Sequence, residues 1–439
     1  VAKFIPAPKL KHLKIGFWDY GNYVLKKVHP ELIKLWKRAG ANCIFKMLEG
    51  VDPKDFTLYA GLHHSYFKTA SFPTYRPDGT ISGKELDGWY FRKHKLSEML
   101  PKITCLQLEN VRKTGWTGMD YEPSGNAMGF IPGSIADFQK EYGVSKTEFE
   151  TMRRGLVTKG YGYHAAASPS ERKIYYKWNE YQSKLYVEFI KALAVDLKKA
   201  NPEAKIYNCT QDGLAVPDIR GSGLCVDDSL QCKYLDMLVP QIYSGYNEIA
   251  AKYAVIRSRE WYQRIQKINP QCILHSLLLI RYANGKIRNS PQWLRQQTIG
   301  SFAEGARGVS YYFIQDFNAT DWAELAETVK QLAMVEDFYV GGKRCDEEFK
   351  IYGAPERVGY HPIWPGGKRE INNPDWHMTA HQQGRRILVT FFNYNAKNDL
   401  TVKLESKHVF EKIDHGKQNV DGSFLIPKNQ TAYLFFQAK

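Results

Sequence analysis

Short apolar runs and stretches with helical spacing take turns along the first 340 residues of the chain. Such alternation predicts a parallel sheet, because parallel strands must be joined by a crossover and a helix is the usual one. LKIGFWDYGNY (13–23) predicts a first strand that ends among polar residues. PELIKLWKRAG (30–40) predicts a helix, with Leu32, Ile33, Leu35 and Trp36 at helical spacing, Pro30 at its start and Gly40 at its end. ANCIFKML (41–48) and FTLYAGLHHSYF (56–67) predict the second and third strands, joined by a connection too short for a full helix. The turn-rich segment 68–88 reads as a long loop. Residues 95–115 predict a helix with an irregularity at Pro101, and WTGMDYEP (116–123) predicts the fourth strand. A long excursion then carries a short helix at 134–143 and a long amphipathic one at 171–204. Strands five to eight are predicted at 205–213, 234–246, 272–280 and 308–317, and helices at 249–270, 290–306 and 321–335.

Eight strands mostly separated by helices predict an α/β chain whose simplest closure is a (β/α)8 TIM barrel, irregular between its second and third strands. A doubly wound open sheet is the alternative. It usually brings a glycine-rich phosphate loop, and neither GxGxxG nor a P-loop occurs. Near residue 340 the rhythm changes to short alternating strands, as in RRILVTFFNYN, LTVKLES and QTAYLFFQAK, with turns at Asn-Asp and Asp-Gly. The expected organisation is a barrel domain over 1–340 and a small antiparallel β-sandwich over 345–439.

The chemistry suggested by this frame sits at the end of the fourth strand. Residues two apart in a strand share a face, so Asp120 and Glu122 point the same way, with Cα atoms roughly 6.5–7 Å apart. Gly118 precedes them on that face and is expected to leave room. Strand C-termini line the active site of a barrel. Two close carboxylates repel, which favours a raised pKa on one of them. A protonated acid beside an ionised base is what proton transfer at a glycosidic bond needs. The alternative is a solvated strand end, or acids capping a helix before PSG. Other acids at predicted strand ends are Asp19, Asp212 and Asp316; Asp19 and Asp316 stand among aromatics, and either could be a base, a hydroxyl clamp or a structural acceptor. His63 and His64 close the third strand and face opposite ways, so at most one enters the mouth. Trp18, Tyr66, Tyr243, Tyr311 and Tyr312 are candidate stacking or hydroxyl contacts, and some belong to the core.

The sequence GMDYE resembles the strand-four signature of the chitinase-like family, D-x-x-D-x-D-x-E, whose last Asp and Glu fall on Asp120 and Glu122. Gly118 and Gly115 stand where that signature has its other two acids. The resemblance implies Glu122 as general acid and Asp120 as the group that orients a substrate acetamido nucleophile, with Tyr243 of PQIYSGY as the tyrosine after strand six. YEP is also similar to the NEP of a large retaining clan of barrel glycosidases. That clan needs a nucleophilic Glu at the end of strand seven, and CILHSLLLIRYANGK has no acid, which disfavours its pair mechanism. TIM-barrel glycoside hydrolases with a C-terminal β-sandwich are the arrangement the whole chain resembles.

Composition adds less. The 28 Tyr and 10 Trp suit amphipathic ligands such as sugars, or equally a Tyr-rich core and surface. A net charge of +15 is spread over many segments without a polybasic tail or nucleic-acid motif, so no nucleic-acid partner is expected. The expected partner is a carbohydrate substrate, anionic and N-acetylated sugars included. No apolar run reaches the ~18–20 residues of a membrane span. No signal peptide is present in the chain, whose first residue is Val; the expectation is a secreted, periplasmic or cell-surface protein with its leader removed. Seven Cys form no CxxC pair or zinc spacing, so no metal or other cofactor is expected; Cys225 and Cys232 flank a loop and could pair. Trp364 and Trp376 could stack on a glycan, although packing on the barrel is the expected role of the sandwich. The main reading is a glycosidase. A non-catalytic glycan-binding barrel and a barrel hydrolase or lyase of other chemistry are the alternatives.

Overall fold

The structure is a computed structural model. It describes residues 5–18, 29–45, 50–62, 73–84, 87–120, 130–159, 167–210, 227–243, 250–279, 290–312, 317–355, 358–363, 367–372 and 375–439. The strands are β1 (Lys14–Trp18), β2 (Cys43–Phe45), β3 (Thr57–Leu58), a hairpin of β4 (Pro73–Tyr75) and β5 (Ile81–Lys84), β6 (Trp116–Asp120), β7 (Lys205–Thr210), β8 (Met237–Ile242), β9 (Ile273–Leu279) and β10 (Gly308–Tyr312). Apart from the hairpin, these strands form one parallel sheet in the order β3-β2-β1-β10-β9-β8-β7-β6. The ends of that order meet at a parallel bridge between Leu62 and Met119, where the Leu62 amide donates to the Gly118 carbonyl at 2.9 Å. The sheet is therefore a ring, as the alternating pattern predicted.

The helices are α1 (Pro30–Arg38), α2 (Leu96–Met99), α3 (Pro101–Thr114), α4 (Pro132–Tyr142), α5 (Lys146–Lys159), α6 (Pro169–Ala200), α7 (Ala250–Ile268), α8 (Pro291–Ala303) and α9 (Ala319–Gly341). The irregularity expected at Pro101 is a break: α2 stops at Met99 and α3 restarts with Pro101 in its first turn, where the missing N–H costs nothing. α6 starts on a reciprocal capping box between Ser168 and Glu171.

Two expectations need correction. The segment read as loop contains the β4–β5 hairpin, turned by Pro77, Asp78 and Gly79. The long excursion holds a helix, α5, that the spacing analysis left out; Phe149 and Met152 on it are fully buried in a satellite core with Phe138, Trp178 and Tyr181. Within the described part of the predicted third strand, pairing occurs at Thr57–Leu58 and again at Leu62, and positions 63–67 lie outside the described residues.

Strand alternation separates two layers. Ile15, Phe17, Ile44, Leu238, Val309 and Tyr311 face the helices and join the main core. Trp18, Phe45, Tyr59, Tyr207, Val239 and Leu277 face inward and fill the barrel.

After α9 the chain is antiparallel. Its strands are β11 (Lys343–Arg344), β12 (Lys350–Tyr352), β13 (Val358–Ile363), β14 (Gly367–Asn372), β15 (Trp376–Gln383), β16 (Arg386–Asn393), β17 (Leu400–Glu405), β18 (Val409–Asp414), β19 (Lys417–Gln418), β20 (Phe424–Ile426) and β21 (Thr431–Gln437). A five-stranded sheet, β11-β15-β16-β21-β18, stacks on a four-stranded one, β12-β17-β20-β19. Ile387, Val389, Phe391, Leu434 and Phe436 pack between the two sheets. Leu388, Phe392, Tyr433 and Phe435, on the opposite face, join the core of the barrel helices. Both faces of the larger sheet are thus covered. Trp376 packs on Phe391 with ring centroids 5.7 Å apart, and its Nε1 donates to the Pro355 carbonyl at 3.0 Å. Trp364 lies outside the described residues.

Candidate functional site at the barrel mouth

The C-terminal ends of parallel strands gather at one face of a barrel, where loops rather than regular structure must satisfy the backbone. Trp18 closes β1 in register with Tyr312 on one side and Phe45 on the other. Its indole lies against the Phe45 ring, with centroids 4.7 Å apart. Tyr243, one residue past β8, stacks on Tyr312 at 5.7 Å with 24° between the planes. Trp18 is buried, and the two tyrosines are half-buried. Three of the predicted contacts, Trp18, Tyr243 and Tyr312, are therefore brought to the mouth together. Rings of this kind offer an apolar face to C–H groups and a hydroxyl at the edge.

Tyr311 is different. It points to the helices, fully buried, with its hydroxyl 2.5 Å from Thr298 Oγ1 and its ring 5.6 Å from Phe317. Burial pushes its phenol up, so it stays neutral. Its candidate role as a sugar contact is corrected to core packing.

Asp120 ends β6 and pairs in register with Cys209 of β7. Alternation places position 120 in the same row of the strand as Trp116 and Gly118. Glu122, Asp19, His63, His64, Tyr66, Asp212 and Asp316 lie outside the described residues. The room expected at Gly118 is taken by a side chain of the protein. A Cβ there would meet the Tyr207 ring at 2.4 Å. β9 carries no acid from Ile273 to Leu279.

Sequence reasoning passed over the polar groups inside the barrel. His275 is almost fully buried, with Nε2 2.8 Å from Ser310 Oγ and its ring 4.8 Å from Phe45; Nδ1 has no hydrogen-bond partner. Burial pushes its imidazole down to about 3, so it is neutral near pH 7. The Cys43 thiol is pushed up to about 12 by burial, which keeps it from acting as a nucleophile. The signal for His275 was the polar pair His275–Ser276 interrupting the apolar run CILHSLLLI. Lys252, in the first turn of α7, is a further buried charge at the seam with the C-terminal sheets. Burial pushes its amine down to about 7 against the opposing pull of Asp375. Cys232 is a buried free thiol, while Cys225 lies outside the described residues.

Among the described residues no three His, Cys, Asp or Glu side chains converge as a metal site, and no helix is long and apolar enough to cross a membrane.

No family model matches the chain, and no curated protein sequence matches it. Solved structures do. A cold-adapted β-galactosidase from Rahnella sp. R3 superposes with a TM-score of 0.59 at 10% identity, covering 99% of this chain and 100% of that one. The fold is shared. A catalytic mutant of a GH42 β-galactosidase from G. stearothermophilus is similar at a TM-score of 0.58 and 10% identity, covering 97% of this chain and 98% of that one.

Proposed function

We propose that this chain is a glycoside hydrolase that cleaves glycosidic bonds of an oligo- or polysaccharide, with Glu122 as general acid and Asp120 assisting. One observation carries the reading: β6, the strand that leads into the D-x-E pair, ends at the aromatic-bearing mouth of an eight-stranded parallel barrel. The likeness in fold to two β-galactosidases supports the substrate class. Residues 1–340 would be the catalytic domain, with 345–439 bracing it.

Glu122 would protonate the oxygen of the leaving sugar as the anomeric C–O bond breaks. Asp120 would hold either a substrate group or the attacking water. An acetamido-bearing substrate, as the chitinase-like signature implies, would supply its own nucleophile. Without one, Glu122 would work with Asp19 or Asp316 as an inverting pair, which needs carboxyl groups ~6.5–9.5 Å apart. Tyr243, Tyr312 and Trp18 would hold the sugar ring, and His63, His64 and Tyr66 its hydroxyls. N-acetylated and anionic glycans belong in the first substrate panel, and a polymeric substrate fits secreted, periplasmic or cell-surface placement.

The test is hydrolysis of a broad panel of N-acetylated, sialylated, sulfated and neutral glycans by wild type and Glu122→Gln. Loss of one general acid–base group removes about 10²–10⁴ in rate. Cleavage abolished in the variant is the expected result; cleavage that survives it refutes the assignment of Glu122. A second reading, a glycan-binding barrel without turnover, is favoured by the glycines at 115 and 118 and by the Tyr207 ring over Gly118. Binding without cleavage by wild type would establish it.

A further inference from the structure

Among the described residues the ring of strands closes at a narrow seam. β6 pairs with β7 along its whole length but meets the third-strand segment through the Leu62–Met119 bridge. Two hydrogen bonds converge there on the Gly118 carbonyl, from the Leu62 amide at 2.9 Å and from Gln107 Nε2 on α3 at 3.2 Å. A third link runs through the inside of the barrel. Tyr207, fully buried on β7, lays its ring over Gly118, and its hydroxyl donates to the Tyr59 carbonyl at 3.1 Å. It reaches from one neighbour of β6 to the other, passing against the residue two before Asp120. Phe45 meets the Tyr207 ring edge-on at 5.3 Å and Tyr59 at 6.1 Å, which leaves the ring one place to lie.

We propose that Tyr207 is a positioning residue: it locks the seam of the barrel and so sets the height and tilt of the strand end that carries Asp120 and leads to Glu122. The inference rests on the reading of those two acids as the catalytic pair. Its physical basis is tolerance. A general acid must stand within about 2.6–3.2 Å of the atom it serves. A displacement of about 1 Å can cost on the order of 100-fold in rate. Among the described residues β6 is held on one side by a continuous ladder and on the other by the Leu62–Met119 bridge, and the Tyr207 link across the inside adds an anchor to that side. Glycine at 118 is then a requirement of the lock, since any Cβ there collides with the Tyr207 ring.

The experiment compares wild type, Tyr207→Phe, Gly118→Ala and the double variant Gly118→Ala/Tyr207→Leu. Tyr207→Phe keeps the ring and removes the hydroxyl that bonds across the seam. We expect kcat to fall about tenfold with KM unchanged, and the Leu62 amide to exchange about tenfold faster. Gly118→Ala loses on the order of 100-fold in kcat, and the double variant regains part of that loss because leucine frees the space. Thermal melting of each variant separates misplacement from failure to fold. Tyr207→Phe with wild-type kcat overturns the proposal, whether or not Leu62 exchange changes. A wild type that cleaves nothing overturns the glycosidase reading instead; accelerated Leu62 exchange in Tyr207→Phe would then keep the lock and remove its catalytic purpose.

Discussion

Replacing Glu304 with glutamine tests how the C-terminal sheets are held to the barrel. Glu304 caps the C-terminal end of α8 and is only 2% exposed. Arg344 from β11 binds it with both terminal nitrogens, at 2.9 Å and 3.2 Å, and His377 Nε2 from β15 sits 2.5 Å from Oε1. Burial alone would raise this carboxyl. The hydrogen bond and charge of His377 and the charge of Arg344 outweigh that and hold it at about 2. A fall from 4.5 to about 2, at about 1.4 kcal/mol per unit, corresponds to about 3 kcal/mol of stability. A depressed carboxyl contributes this above its unfolded value of 4.5 and loses it as the pH drops from there towards 2. Glu304→Gln removes the charge while leaving Arg344 and His377 in place, and breaking a buried pair costs about 3–5 kcal/mol. Urea unfolding at pH 7, followed by circular dichroism and tryptophan fluorescence, should show a loss of about 3 kcal/mol. Both signals should fall in one transition, because the core is continuous from Leu294 and Phe338 to Phe392 and Phe435. In the variant the component lost by wild type between pH 4.5 and 2 should be missing. A loss below about 1 kcal/mol, or an acid limb unchanged from wild type, would refute the view of Glu304 as the joint.

Two buried histidines, His275 inside the barrel and His381 on β15, predict a separate acid sensitivity. His275 is pushed down to about 3 and His381 to about 4, chiefly by burial, so the folded state refuses protons that the unfolded state takes below 6.5. Stability is complete above that pH and falls by up to about 1.4 kcal/mol per unit for each group as the pH drops. His275→Gln should flatten this limb between pH 6.5 and 4, and equal slopes in the two proteins would sink the argument. Strand alternation predicts that neighbouring tyrosines behave oppositely. Tyr311→Phe should cost about 1 kcal/mol, because Thr298 keeps its bond to the Leu294 carbonyl, and should leave KM alone. Tyr312→Ala should raise KM with little change in kcat; a Tyr311 effect on KM would show that the strand faces were assigned the wrong way round.

Local pattern carried the architecture far. Apolar runs of strand length, helical spacing and proline or glycine punctuation are short-range properties, and they located all eight parallel strands and the helices after β8, β9 and β10. Trp18 and Tyr312 lie inside the predicted strands 13–23 and 308–317, and only the structure places them at the strand ends, with Tyr243 one residue past β8. α5 was not predicted, because the face it buries, Phe149 and Met152, is defined by packing against Phe138, Trp178 and Tyr181 rather than by local spacing.

The sequence by itself determined the order of strands and helices and which of two adjacent residues faces inward, since both follow from the 2-residue and 3.6-residue periods of the backbone. Tertiary structure decided what fills those faces. The space left by Gly118 belongs to Tyr207, 89 positions away, and Glu304 is held by His377, 73 positions away. The ring closes where Leu62 meets Met119. No local pattern encodes these meetings, because they depend on how a closed barrel and two stacked sheets bring distant segments within a few ångströms.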